Sequence, residues 1–180
     1  MPTAIEPFTG DLRSLIRDIP DFPKKGILFR DVTPILQNGP AFRRCVERLG
    51  EGMAAMRPAV IAGIEARGFI FGAALAALLG IGFVPLRKIG KLPWKTRQMR
   101  YQLEYGGDGM EIHEDAVPAG ARVALVDDLL ATGGTAAAAY RLLQEGGGQV
   151  VVASFVVELA GLNGRAQLPG VPIQALITYP

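Results

Sequence analysis

Four short apolar runs govern what this chain can fold into: "AVIAGI" (59–64), "FVPLRK" (83–88), residues 121–126 and "QVVVASFVV" (149–157). Each has the length of a strand, and segments of helical periodicity at 68–79 and 134–145 alternate with them. Strands that are apolar on both sides of the pleat need cover on both faces. The pattern therefore predicts an α/β protein, an open parallel sheet with helices on both faces, closed by a last strand near 173–177. In such sheets ligands gather beyond the carboxyl ends of the strands. Chemistry is expected at 64–68, 87–91 and 127–135.

The flanking segments are less regular. Leu12, Leu15, Ile16 and Ile19 share one helical face, predicting an amphipathic helix over 11–19 that Pro20 ends. Residues 21–36 read as irregular to extended, punctuated by Pro23, Gly26 and Pro34, and 41–56 as a helix with Cys45 on its buried face. Residues 89–115 alternate like an exposed hairpin inserted between core strands. At 180 residues, with 49% hydrophobic and 20% charged, the chain is expected to fold as one domain, 1–180.

Composition also excludes some functions. A net charge of +2 is too small to imply a nucleic-acid partner. Cys45 is the one cysteine, which rules out an intrachain disulfide; with a single histidine, it also argues against a Cys/His zinc site. Residues 68–86 carry no charge, but Gly80, Gly82 and Pro85 interrupt them before a membrane span is complete. With no signal-like pattern at the N-terminus, a soluble cytoplasmic protein with no membrane partner is expected.

"VALVDDLLATGGTAAAA" (123–139) is the most informative stretch. An apolar strand runs into Asp127 and Asp128, and a helix begins through Gly133, Gly134 and Thr135. The first amides of a helix have no internal partners, and with the positive end of the helix dipole they form an anion site. Glycines let an oxygen approach the backbone, and Thr132 and Thr135 add hydroxyls. No Gly-x-x-x-x-Gly-Lys or Gly-x-Gly-x-x-Gly pattern is present, so a nucleoside triphosphate or dinucleotide loop is not indicated. Two carboxylates beside one phosphate cradle suit the diol and the phosphate of a ribose 5-phosphate. Helix capping and simple turn chemistry are the competing explanation.

Between Glu65 and Glu104 there is no acidic residue, while Arg67, Arg87, Lys88, Lys91, Lys95, Arg97 and Arg100 fall in the interval. Arg67, Arg87 and Lys88 follow predicted strands and would converge at one sheet edge, as a diphosphate requires. A solvated basic face, or a nucleic acid stacking on Trp94 and Tyr101, are the alternatives.

"VDDLLATGGT" resembles the phosphoribosyl diphosphate signature of the type I phosphoribosyltransferases. "FPKKGILFRDVTPIL", "EARGFIFG", "VPLRKIGKLP" and "YQLEYG" extend the resemblance, in order, over about residues 20–160. The resemblance implies a small N-terminal hood (1–36) carrying the base pocket and a flap hairpin over 89–115. It implies ribose 5-phosphate binding by Asp127, Asp128, Ala131, Thr132, Gly133, Gly134 and Thr135. Diphosphate would be bound by Ala66, Arg67, Arg87, Lys88, Lys91 and Tyr105, with a cis peptide bond between Ala66 and Arg67. Leu28, Phe29, Arg30, Ala131 and Leu159 would hold the base, although periodicity alone makes Phe29 ordinary core. Ala131 stands where relatives using 6-oxopurines tend to carry an acid, which favours adenine. Glu104 would act near N7 of the base and, with Arg67, carry catalysis; an exposed hairpin acid is the alternative for Glu104. Mg²⁺ is implied through diphosphate and ribose oxygens with no direct protein ligand, as is a homodimer. The implied reaction consumes phosphoribosyl diphosphate and adenine and yields AMP and diphosphate. Another purine specificity, or a non-catalytic nucleotide-binding regulator of the same fold, is the alternative. His113 is assigned no role.

Overall fold

The computed structural model describes residues 8–103 and 106–180. They form two compact units that divide between Arg48 and Leu49.

In the first unit, a 3-10 turn (Leu12–Leu15) is capped by Asp11, whose carboxylate accepts from the Arg13 amide at 3.0 Å. Strand β1 (Arg17–Pro20) then pairs antiparallel with β2 (Leu28–Asp31), with Ile19 opposite Phe29. The helix expected over 11–19 is thus one turn followed by a strand. In so short a segment the ladder to β2 satisfies the backbone as well as a helix would, and Pro20 suits an edge strand's end. Asp31 accepts from the amide and hydroxyl of Thr33 at 2.9 and 2.8 Å, and Pro34 sits in the first turn of α1 (Thr33–Gln37). This proline, expected to punctuate an irregular stretch, instead occupies a position where the missing N–H costs nothing. Helix α2 (Gly39–Met53) crosses into the second unit. Cys45 on it is fully buried, and burial pushes its thiol up to about 12, leaving it inert.

The second unit is a seven-stranded sheet. In chain order its strands are β3 (Val60–Ile64), β4 (Gly82–Lys88), β5 (Thr96–Leu103), β6 (Gly106–His113), β7 (Arg122–Leu130), β8 (Gln149–Leu159) and β9 (Ile173–Tyr179). Across the sheet they run β5-β6-β4-β3-β7-β8-β9, and the five from β4 to β9 are parallel. Helices α3 (Arg67–Leu79) and α4 (Gly134–Glu145) cover opposite faces. Val60, Ala62 and Ile64 join the core beneath Leu142 and Leu143 of α4. The alternate residues Ile61 and Gly63 face Gly72 of α3, where a Cβ would stand 3.4 Å from Ile61 and 2.9 Å from the Phe83 ring. The α/β architecture expected from the apolar runs is the one observed. No helix among the described residues is long and apolar enough to cross a membrane.

One strand boundary and the burial of the hairpin differ from expectation in ways that matter for the site. Strand β7 does not end at Val126 but continues to Leu130. Its ladder to β3 stops at Val126, while that to β8 goes on through Asp127, Leu129 and Leu130. The two aspartates therefore sit where one neighbour has been withdrawn and the other still holds the backbone. The hairpin expected to be exposed is also only partly so. Strand β6 pairs antiparallel with β4, Arg87 opposite Glu111, and buries Met110, Glu111 and Ile112.

Candidate active site at the carboxyl edge of the sheet

A cavity of about 270 Å³ opens at the carboxyl ends of β3 and β7, lined by residues 65–67 and 127–136. It brings Ala66 and Arg67 together with Asp127, Asp128, Ala131, Thr132, Gly133, Gly134 and Thr135, residues more than 60 positions apart in sequence for the closest ion pair. A smaller hollow of about 130 Å³ shares Glu65 and Thr135 and is lined by Arg87 and Lys88.

The loop expected to cradle a phosphate leads directly into a helix start. Helix α4 begins at Gly134, and its first internal hydrogen bond runs from the Ala137 amide to the Gly133 carbonyl, 2.8 Å. The amides of Gly134, Thr135 and Ala136 precede that bond and belong to the helix turn that lacks internal acceptors. Gly133 has φ +84°, a conformation that favours glycine. Gly134 differs, for a Cβ there would meet no protein atom.

The carboxylates are not equivalent. Asp128 is buried, and Arg67 Nε donates to its Oδ2. Asp127 Oδ1 accepts from the Asp128 amide at 2.8 Å. Burial, and then the neighbouring charge of Asp128, hold the Asp127 carboxyl well above its ordinary value. Helix α3 reaches this pair only because Gly68 lacks a side chain: a Cβ would stand 2.8 Å from Asp127 Oδ1. The non-proline cis bond lies between Glu65 and Ala66, one bond before the expected position, and Ala66 is the N-cap of α3.

Glu65, which the sequence reading did not single out, organises the basic side. Its Oε1 accepts from Arg87 Nη2 at 3.1 Å and its Oε2 from the Lys88 amide at 2.9 Å. The Arg87 hydrogen bond, against the opposing effect of burial, holds the Glu65 carboxyl below its usual range. Arg87 Nε is buried with no hydrogen-bond partner among the described residues. Lys91 lies just beyond, its carbonyl accepting from Arg87 Nη1 at 2.9 Å. Arg97, from the same basic interval, instead donates to the Glu145 carbonyl at 3.0 Å, at the C-terminus of α4.

Other expected residues fall elsewhere. Leu28, Phe29 and Arg30 lie on β2 in the first unit, with the Phe29 ring edge-on to Phe22 at 5.2 Å. Leu159 ends β8 and lines neither hollow. Glu104 and Tyr105 lie outside the described residues. Gly164 was also not anticipated; it packs against the Ala131 carbonyl behind the cradle. No three His, Cys, Asp or Glu side chains converge as a metal site among the described residues.

Residues 35–166 match the phosphoribosyl transferase domain family. An adenine phosphoribosyltransferase from a Cyanothece strain is 54% identical over 169 residues, covering 94% of this chain and 99% of the relative. The crystal structure of adenine phosphoribosyltransferase from Thermoanaerobacter pseudethanolicus superimposes with a TM-score of 0.91 at 51% identity, covering 93% of this chain and 98% of that one. The Saccharomyces cerevisiae enzyme, complexed with an imino-altritol bisphosphate and adenine, gives 0.86 at 42% identity over 92% of this chain and 96% of its own. On the cradle, the carboxylate pair and these likenesses together, the chain belongs to the phosphoribosyltransferase family, in its adenine phosphoribosyltransferase branch.

Proposed function

We propose that the chain transfers the 5-phosphoribosyl group of phosphoribosyl diphosphate to N9 of adenine, giving AMP and diphosphate in purine salvage. The observation that carries this is the single cavity in which two adjacent carboxylates, an arginine and the amino end of α4 meet. The amides of Gly134, Thr135 and Ala136, with Thr132 and Thr135, bind the 5-phosphate, and Asp127 and Asp128 hold the ribose diol. That remote anchor fixes C1 relative to base and leaving group. The C1–oxygen bond breaks with its electron pair going to diphosphate, and the N9 lone pair forms the new bond to C1. Arg67, Arg87, Lys88 and Lys91 stabilise the departing charge, with Ala66 and Tyr105 at the same group.

Arg67 is paired with Asp128, so an incoming diphosphate competes for the guanidinium and releases the carboxylate to the ribose. Leu28, Phe29, Arg30, Ala131 and Leu159 bind adenine, and Glu104 accepts the proton that leaves N7 as N9 bonds to C1. Mg²⁺ would be held through diphosphate and ribose oxygens and water, with no direct protein ligand and with Asp127 and Asp128 orienting the diol beside it; as a hard cation it would neutralise diphosphate charge there. A cytoplasmic homodimer is part of the same proposal.

The test is diphosphate release from phosphoribosyl diphosphate with Mg²⁺ and, in turn, adenine, hypoxanthine, guanine and xanthine. Adenine should be used at least about a hundredfold better in kcat/KM, the discrimination a site with buried hydrogen-bonding groups can impose. Equal use of the four bases, or none, would overturn the proposal.

A further inference from the structure

Glu111 is 1% exposed, and no step of the proposed reaction uses it. It stands in β6, opposite Arg87 of β4 on one side and Gln98 of β5 on the other. Its Oε1 accepts from the amides of Lys91 and Leu92, both at 2.8 Å. Its Oε2 accepts from the Thr96 hydroxyl at 3.1 Å and from Gln98 Nε2 at 3.2 Å. Burial alone would raise this carboxyl, but the Leu92, Gly90 and Lys91 amides and the Thr96 hydroxyl outweigh it and hold the group below its usual range. A buried charge survives only with such a set of donors.

The backbone gripped by Glu111 is the continuation of the diphosphate edge. Arg87 Nη1 donates to the Lys91 carbonyl, while Arg87 Nη2 and the Lys88 amide donate to Glu65. The stretch from Arg87 to Leu92 is thus fastened twice: by Glu65 at the end of β3, and by Glu111 from β6. The fastened residues include the cations Arg87, Lys88 and Lys91.

We propose that Glu111 is a positioning residue for the diphosphate group, fixing the turn after β4 so that Arg87, Lys88 and Lys91 are presented to it. This rests on the proposed transferase reading. A carboxylate does this better than its amide. Gln could accept at one oxygen only, and its NH₂ would face the donors that Oε2 now accepts from.

Steady-state kinetics of Glu111→Ala and Glu111→Gln, with calorimetry of inorganic diphosphate and of AMP, test it. AMP occupies the ribose 5-phosphate side and needs no diphosphate contact. Expected for Glu111→Ala is a KM for phosphoribosyl diphosphate raised about tenfold or more, kcat changed less than about threefold, and diphosphate binding weakened in parallel with AMP binding kept. Glu111→Gln should fall between that variant and wild type, and it decides the matter if the alanine variant does not fold. A variant of lower melting temperature with wild-type KM and diphosphate affinity would show a purely structural anchor and overturn the proposal. If wild type binds inorganic diphosphate but turns over no purine, the transferase reading fails, and the diphosphate affinities of the variants still judge Glu111.

Discussion

Gly133 and Gly164 are packed so that neither tolerates a side chain. A Cβ on Gly133 would stand 2.5 Å from the Gly164 carbonyl oxygen, and one on Gly164 would stand 2.3 Å from the Ala131 carbonyl oxygen. The neighbours are backbone, which cannot swing aside as a side chain could. The turn carrying Gly164 is itself held by Arg165, which grips the buried Glu158 through two hydrogen bonds at 2.5 and 2.7 Å. Gly164→Ala should therefore push the cradle out of register with the first amides of α4. Calorimetry should find AMP affinity reduced about tenfold or more, while inorganic diphosphate affinity changes little; displacements of this kind are costly in preorganised sites. Unchanged AMP affinity would mean the cradle does not lean on this turn.

Asp128→Ala removes a carboxylate that pairs with Arg67 and that the proposed mechanism assigns to the ribose diol. Turnover should fall about a hundredfold or more, with a circular dichroism spectrum like wild type. Near-normal turnover would take the carboxylate pair out of the mechanism.

Asp127 predicts a stability effect of definite sign. Its carboxyl is held above the ordinary value by burial and by Asp128. The folded state thus keeps this proton over a range where the unfolded chain has released it. The stability it contributes is full below the unfolded carboxyl value and is lost as pH rises through the folded one. Asp127→Asn carries no such charge, and its side-chain oxygen can still accept from the Asp128 amide. Near neutral pH the variant should melt about 2–4 °C higher, the shift expected of about 1 kcal/mol in a chain of this size, and the gain should vanish in acid. Melting curves that separate by the same amount at every pH would contradict this.

Glu104→Gln should slow the chemical step more than it weakens phosphoribosyl diphosphate binding, as expected for a group acting on a proton in the transition state. Single-turnover rates check it; an unchanged rate would remove the proton role.

Much of this could be read from residue types. The strand "AVIAGI", the helix over 134–145 and the gathering of Asp127, Asp128 and Thr135 at one edge follow from period and from chemistry that side chains announce. What escaped depends on partners distant in sequence. Ile16 and Ile19 fit a helical face, and only β2 shows that residues 17–20 have a better backbone partner. Glu111 falls in "GMEIHE", whose alternation suggests one wet face; its burial escapes notice because the donors at its Oε1 are backbone amides, common to every residue type. Gly164 carries no local signal, since its constraint is a carbonyl 33 positions earlier, at Ala131.

Met110 and Ile112 are 3% exposed and belong to the cluster beneath α4, although they lie in the inserted hairpin. The insertion is consequently no detachable cassette. Deleting residues 89–115 would tear two hydrophobic side chains from the interior and unseat the antiparallel margin of the sheet.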